Sequence, residues 1–182
     1  MTRRARLALS DLNDSKKLSE QRREALADAL WCFADQVVVV SASSATIDRD
    51  GLHVTNLRVM RDAIGALDPA PDVSLVDGFA LGQGAPDHVQ VIGGDRKSAT
   101  IAAASIVAKT ARDRLMRGPA ASAHPEFGFE SHVGYSTPEH QAALRNAAGL
   151  SPLHRRSFQS VAYPRLKLFD AVESGSPSAP GR

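Results

Sequence analysis

Most of the residue patterns that place a chain at a glance are missing here. A single cysteine, Cys32, stands among 182 residues. An internal disulfide is therefore excluded, and a reducing, cytoplasmic setting is expected. Cys32 lies between Trp31 and Phe33, a context that favours a buried structural thiol over a nucleophile. No run is long and apolar enough to span a membrane. The early arginines are not followed by the apolar stretch of a signal peptide. No CxxC or HExxH pattern occurs, which argues against a zinc site. The Gly93-Gly94-Asp95-Arg96-Lys97 turn lacks the Gly-Lys-Ser/Thr ending of a phosphate-binding P-loop. Charge of one sign is also lacking. Lysine and arginine number 22 against 20 acidic residues, a net charge of +2, so the overall balance does not point to a nucleic-acid partner. There is no internal repeat.

What is present is the composition of a globular domain, 43% hydrophobic, long enough for one substantial core. The basic residues are clustered at Arg3-Arg4/Arg6, Lys16-Lys17, Arg22-Arg23, Arg112/Arg114/Arg117 and His154-Arg155-Arg156. Such clusters make either a basic groove that net charge conceals or a scattered solubilising surface.

The stretch Gly94–Met116 organises the rest. It opens on a glycine-rich turn and continues as an alanine-rich helix over 99–116, with Ser98 or Asp95 as its cap. Helical spacing places Ser105, Lys109 and Asp113 on one stripe. Ile101, Ala104, Ala108, Ala111 and Leu115 form another, expected to be the buried side. The polar stripe then faces a cleft or solvent. Lys before Asp at i, i+4 is the weaker order for an isolated helix, so helix stability alone does not account for that pair.

Elsewhere, apolar residues from Leu18 to Phe33 recur at helical spacing behind Ser19. Val37–Val40 has a strong strand composition. A second helix is expected over 47–67, weakened near its start by Gly51. Val73–Val76 and His88–Ile92 read as strands separated by a Gly/Pro-broken loop. Residues 118–125 read as a loop. Thr137-Pro138 starts a short helix that runs to Ala147. Residues 151–163 read as extended or loop, and 164–172 as a last helix. Residues 173–182 read as a disordered tail. Strands alternating with helices indicate an α/β domain over 1–172.

Asp77 ends an apolar strand and precedes Gly78. This is either an ordinary turn or a carboxylate at the carboxyl end of a strand, where ligand sites of open α/β sheets lie. Paired there with Asp113, it would offer hard oxygen ligands suited to magnesium or manganese. Tyr135, in His-Val-Gly-Tyr-Ser-Thr, is either a half-buried aromatic or a reader of sugars. Arg155 and Arg156 either bind phosphate or sit on an exposed loop.

Five stretches resemble bacterial ribonuclease HII: LNDSKKLSEQRRE (12–24), VDG (76–78), GDRKSATIAAASIVAKTARDRLM (94–116), FGFESHVGYSTPEH (127–140) and SPLHRRSF (151–158). They occur in the order of that family. The resemblance implies a ribonuclease H-like sheet flanked by helices, with a small C-terminal helical part. It implies cleavage of the RNA strand of RNA–DNA hybrids, and of single ribonucleotides embedded in duplex DNA, with Mn2+ or Mg2+. It implies that Asp77 and Asp113 are catalytic, metal-binding carboxylates within reach of a shared metal. It implies that Tyr135 packs on the sugar at the RNA–DNA junction. Lys16, Lys17, Lys109, Arg155 and Arg156 would lie along the phosphates. A monomer is expected, with no membrane partner.

The sequence departs from that family at its start. The family's first strands carry an Asp-Glu pair and a Gly-Arg-Gly turn, and residues 1–11, MTRRARLALSD, hold neither. The expectation is an N-terminally incomplete sheet with two of four family carboxylates. The alternative to a ribonuclease is then a catalytically inactive remnant with weak nucleic-acid binding. Val133 and Ser136, where the family often has Lys and Gly, are smaller departures.

Overall fold

The structure, a computed structural model, describes residues 18–159 and 161. Lys16, Lys17, the expected last helix and the tail lie outside the described residues. The described chain forms two compact units. One holds 18–42 and Gly51–Arg114, the other Ser43–Asp50 and 115–161. In place of a single core, each unit has its own apolar cluster.

The first unit begins with α1 (Glu20–Phe33), whose N-cap Ser19 accepts from the Arg22 amide. That bond satisfies one of the first-turn donors left over by helix geometry. Leu26, Ala27 and Leu30 are its buried residues. Phe33 is about half exposed, as is Trp31, and the Cys32 thiol between them is exposed. The expected buried thiol is therefore not found. The buried face of α1 is the 26/27/30 stripe, and residues 31–33 fall beyond it.

Val37–Val40 forms no ladder with any of the described residues. β-branched composition favours a pleated chain but does not supply a partner strand. Val37 instead packs on the first apolar cluster. The helix expected over 47–67 is two helices, α2 (Ser44–Asp50) and α3 (Leu52–Gly65). Gly51 lies between them at φ 84°, a left-handed conformation that breaks an α-helix and that glycine adopts without steric cost.

β1 (Leu75–Asp77) and β2 (Val89–Val91) are parallel neighbours, with Asp77 opposite Val91. The connection between them is tied down at Leu81, which is fully buried. Its carbonyl accepts from the Arg61 guanidinium, and its amide donates to His88 Nε2.

After β2, Gly94–Arg96 make one 3-10 turn, and α4 (Ala99–Leu115) follows. Of the two candidate caps it is Ser98 that serves, its hydroxyl accepting from the Ile101 amide. The buried face of α4 differs from the one expected. Ile101 is buried as expected, but Ala104 and Ala108 are exposed and Leu115 is half exposed, while Ala102, Ile106, Val107, Thr110 and Asp113 are buried. Alanines are distributed around the whole helix and define no face. The branched Ile106 and Val107 choose it, by packing with Leu26, Ala27 and Leu30 of α1, since larger apolar side chains gain more from burial.

The second unit is helical among the described residues. The stretch expected as a loop after α4 continues as a π-helical turn (Met116–Ala120), which accommodates Pro119, and as α5 (Ala121–Ala123). A 3-10 turn (Pro125–Phe127) and α6 (Phe129–His132) lead to α7 (Pro138–Asn146). Thr137 caps α7 by accepting from the His140 amide, and Pro138 occupies its first turn. Met116, Ala120, Phe127, Phe129, Val133 and Leu144 form the core of this unit.

Candidate active site

In the first unit, two carboxylates stand past the carboxyl ends of the two parallel strands. Asp77 is the last residue of β1. Its Oδ1 accepts from the Gly94 amide at 2.8 Å. That amide belongs to the turn directly after β2, and the next residue is Asp95, 8% exposed. A side chain at Gly94 would crowd this approach. An added Cβ would stand 3.2 Å from Asp77 Oδ1 and 2.5 Å from Ile101 Cδ1. Parallel strands and a glycine turn thus place the Asp77 carboxylate against the turn that carries Asp95, at the end of the sheet where open α/β sheets bind ligands.

Asp113 does not join them. Asp77 is seated beside the N-terminal end of α4, through Gly94 and Ile101. Asp113 is twelve residues beyond Ile101 on the same helix, about 18 Å along the axis at 1.5 Å per residue. Its buried carboxylate is taken by Lys109 Nζ, at 2.9 and 3.2 Å to its two oxygens, with Arg112 at 4.0 Å. The expected sharing of a metal by Asp77 and Asp113 is therefore not met, and Lys109 is engaged as the partner of Asp113. Helical periodicity identified the Lys109–Asp113 pair, whereas the metal role of Asp113 was what the resemblance implied. Asp95, considered only as a helix cap, is the acidic residue that lies next to the amide held by Asp77. The signal was available, because Asp95 follows a strand and a Gly-Gly turn just as Asp77 ends a strand.

The donor set suits a hard cation of the magnesium or manganese kind. Magnesium is commonly held by one or two carboxylates, with water and substrate phosphate completing its shell. A pair of aspartates fits that mode. Among the described residues no group of three or more His, Cys, Asp or Glu is arranged to hold a metal.

The second unit carries Tyr135 and the two arginines. Tyr135 is 53% exposed, on a backbone that turns sharply. Val133 has φ 46° and Gly134 φ 79°. A β-branched residue in the left-handed region is strained by about 1–3 kcal/mol and persists only where its surroundings hold it. Here the Tyr135 amide donates to the His132 carbonyl at 2.9 Å, and the Gly134 amide to His132 Nδ1 at 3.2 Å. The Tyr135 carbonyl accepts from the Thr137 amide at 2.8 Å and from His140 Nδ1 at 2.9 Å.

Arg155 and Arg156 sit on a turn that α2 grips. Asp48 accepts from the Arg156 amide at 2.8 Å, the Ser157 amide at 3.0 Å and the Ser157 hydroxyl at 2.6 Å. Burial alone would raise the Asp48 carboxyl pKa, but these bonds and the Arg156 charge outweigh it and hold the group below its usual range. Ser44 of α2 donates to the Pro152 carbonyl. The Arg155 guanidinium lies 3.6 Å over the Phe158 ring, while Arg156 is exposed. Between Tyr135 and this turn lie three buried histidines, His132, His140 and His154. Burial pushes His154 down to about 4, with His140 adding to the shift, and burial likewise lowers His140. Of the three, only His154 stands out in the sequence, as part of the basic His154-Arg155-Arg156 cluster.

No helix among the described residues is long and apolar enough to cross a membrane.

Comparison with known proteins gives consistent results. The family model described as ribonuclease HII matches residues 1–161. The chain is similar to the ribonuclease HII of Rhodococcus opacus, 45% identical over 94% of this chain and 74% of that one. It is similar to those of Mycobacteroides abscessus, 45% identical over 86% and 66% of the two chains, and Mycobacterium bovis, 46% identical over 85% and 58%. It thus spans between about three fifths and three quarters of the lengths of these relatives. Among solved structures, the ribonuclease H2 of Pyrococcus horikoshii superposes with a TM-score of 0.75 at 22% identity, covering 91% of this chain and 84% of that one. That likeness fixes the fold as ribonuclease H-like.

Proposed function

The chain belongs to the ribonuclease HII family, and from that premise we propose that it is an endonuclease of RNA–DNA hybrids and of duplex DNA containing single ribonucleotides. The observation that carries this reading is that Asp77, at the end of β1, holds the Gly94 amide, directly before Asp95 in the turn that follows β2. Mg2+ or Mn2+ is the proposed cofactor, held by these two carboxylates. When bound, such a cation makes a water more acidic and draws charge from a phosphodiester oxygen. The Gly94 amide orients the Asp77 carboxylate by holding one of its oxygens. Gly94, having no side chain, lets that carboxylate lie against the turn.

In the second unit, the exposed Tyr135 ring is proposed to pack against a sugar, where only a 2′-hydroxyl separates ribose from deoxyribose. The guanidinium groups of Arg155 and Arg156 are proposed to meet phosphates, together with Lys16 and Lys17 on the strength of the resemblance. Such contacts fix register along a duplex. A second reading, a non-catalytic remnant, draws on one observation: fewer than three acidic side chains gather at any point among the described residues, where the resemblance implies four.

The test is manganese-dependent cleavage of a duplex carrying one ribonucleotide. It compares a polypeptide of these 182 residues with its Asp77→Asn and Asp95→Asn variants. Loss of at least roughly tenfold in each variant is expected. Equal rates in all three would remove the pair from the site. Absence of cleavage together with Asp77-dependent manganese binding would favour the second reading.

A further inference from the structure

We propose that His140 and His154 are positioning residues that tie the Tyr135 backbone to the Arg155–Arg156 turn through a one-way chain of imidazole hydrogen bonds. What Tyr135 and the arginines touch rests on the function proposed above; the chain of bonds does not.

The direction of the chain follows from its ends. The Ser151 amide lies 3.2 Å from His154 Nδ1, and a backbone N–H can only donate. His154 Nδ1 is therefore an acceptor, and the Ser151 hydroxyl, at 2.9 Å, donates to it as well. The neutral ring then carries its proton on Nε2. That atom is 3.1 Å from His140 Nε2 and donates to it. His140 in turn carries its proton on Nδ1, which donates to the Tyr135 carbonyl at 2.9 Å. Every ring nitrogen has one role, and each role sets the next. A second proton on either ring would set two N–H groups against each other.

The surroundings favour this neutral state. Phe127 and Phe129 are 1% exposed and pack on the rings. Phe127 lies 4.5 Å from His154, and Phe129 5.5 Å from His154 and 5.7 Å from His140, between ring centres. His132 stacks on His140 at 4.4 Å with an interplanar angle of 15°. Its own tautomer is set in the same way, since Nδ1 accepts from Gly134 and Nε2 donates to the Phe127 carbonyl.

Both ends of the chain carry proposed contact residues. Tyr135 sits beside a strained Val133, a conformation that needs external bonds to persist, and His140 supplies one. His154 immediately precedes Arg155, in a turn whose other side Asp48 grips. The histidines thus tie the backbone that carries an exposed ring to the backbone that carries two arginines, and a fixed spacing of contacts is what reading a nucleic-acid backbone in register requires.

The experiment measures binding of a duplex with one ribonucleotide and of its all-DNA counterpart, by fluorescence anisotropy without divalent metal. The proteins are the 182-residue chain, Tyr135→Ala, His140→Ala and His140→Asn. Asparagine can donate to the Tyr135 carbonyl as Nδ1 does. Preference for the ribonucleotide is expected to fall by roughly three- to tenfold in His140→Ala, to fall in Tyr135→Ala, and to recover at least partly in His140→Asn. Preference lost in Tyr135→Ala but intact in His140→Ala would overturn the relay alone. No preference in the unsubstituted chain would overturn the relay and the reading of Tyr135 together. Should His140→Ala fail to fold, imidazole 15N spectra of the unsubstituted protein decide. The proton is expected on Nε2 of His154 and on Nδ1 of His140 at neutral pH, and the opposite tautomer at either ring would overturn the proposal.

Discussion

Replacing Gly94 by alanine probes the point where β1, the turn after β2 and α4 meet. The backbone of Gly94 is not left-handed, so an L side chain is opposed only by what it touches. Its Cβ would stand 2.5 Å from Ile101 Cδ1 and 3.2 Å from both Ile101 Cγ2 and Asp77 Oδ1. Carbon atoms pack best at about 3.5–4.0 Å, so Cδ1 must retreat by roughly 1 Å. Ile101 is 5% exposed in the first turn of α4 and has little room to do so. Overpacking of this kind costs about 1–3 kcal/mol, offset by about 0.4–1 kcal/mol from the reduced freedom of the unfolded chain. A net loss of about 1–2 kcal/mol is expected. Ile101→Val removes Cδ1, the atom in closest conflict, and by itself costs about 0.5–1.5 kcal/mol. In the double variant the worst contact is absent, so the two substitutions should together cost about 1 kcal/mol less than their separate effects added. Urea unfolding of the four proteins measures this coupling, and the unfolded-state contribution of alanine cancels in the cycle. Additivity within about 0.5 kcal/mol would refute the packing account of Gly94.

Two further outcomes follow from the ionisable groups. His154 has its native pKa near 4 against an ordinary 6.5, so the unfolded chain binds more protons in that interval. Its contribution to stability is complete above pH 6.5 and is lost as pH falls towards 4, on the order of 3 kcal/mol at about 1.4 kcal/mol per unit. His140, His124 and Glu126 are the ionisable groups that act on it. Urea unfolding at pH 7.5 and 4.5 should show a loss about 2–3 kcal/mol larger in the unsubstituted protein than in His154→Gln, whereas parallel pH profiles would contradict the assignment. Asp113→Asn should destabilise by about 1–2 kcal/mol, since it removes the buried charge that pairs with a half-exposed lysine and one of the two oxygens that lysine holds. It should leave manganese affinity unchanged in calorimetric titration, whereas Asp95→Asn should reduce it; the reverse result would return Asp113 to the metal site.

The amino-acid sequence by itself determined what is local or carried by contiguous motifs. Ser19 and Thr137-Pro138 mark the helix starts at which the structure begins α1 and α7, because a side-chain acceptor and a pre-set φ act within one turn. The apolar runs around residues 75–77 and 89–91 became strands, and Asp77 fell at a strand end. The resemblance carried by five motifs identified the family that comparison of the whole chain supports. Tertiary structure decided what depends on partners distant in sequence. Val37–Val40 has the composition of a strand but no ladder among the described residues, since pairing belongs to two segments and composition to one. Trp31, Cys32 and Phe33 stand outside because the packed stripe of α1 lies elsewhere. The face of α4 was chosen by Ile106 and Val107 against α1, which alanine periodicity could not reveal. The acidic partner proposed for Asp77 rests on the same kind of information. Parallel pairing of β1 with β2 brings the turn that carries Asp95 to the Asp77 carboxylate, while the rise of α4 carries Asp113 away from it.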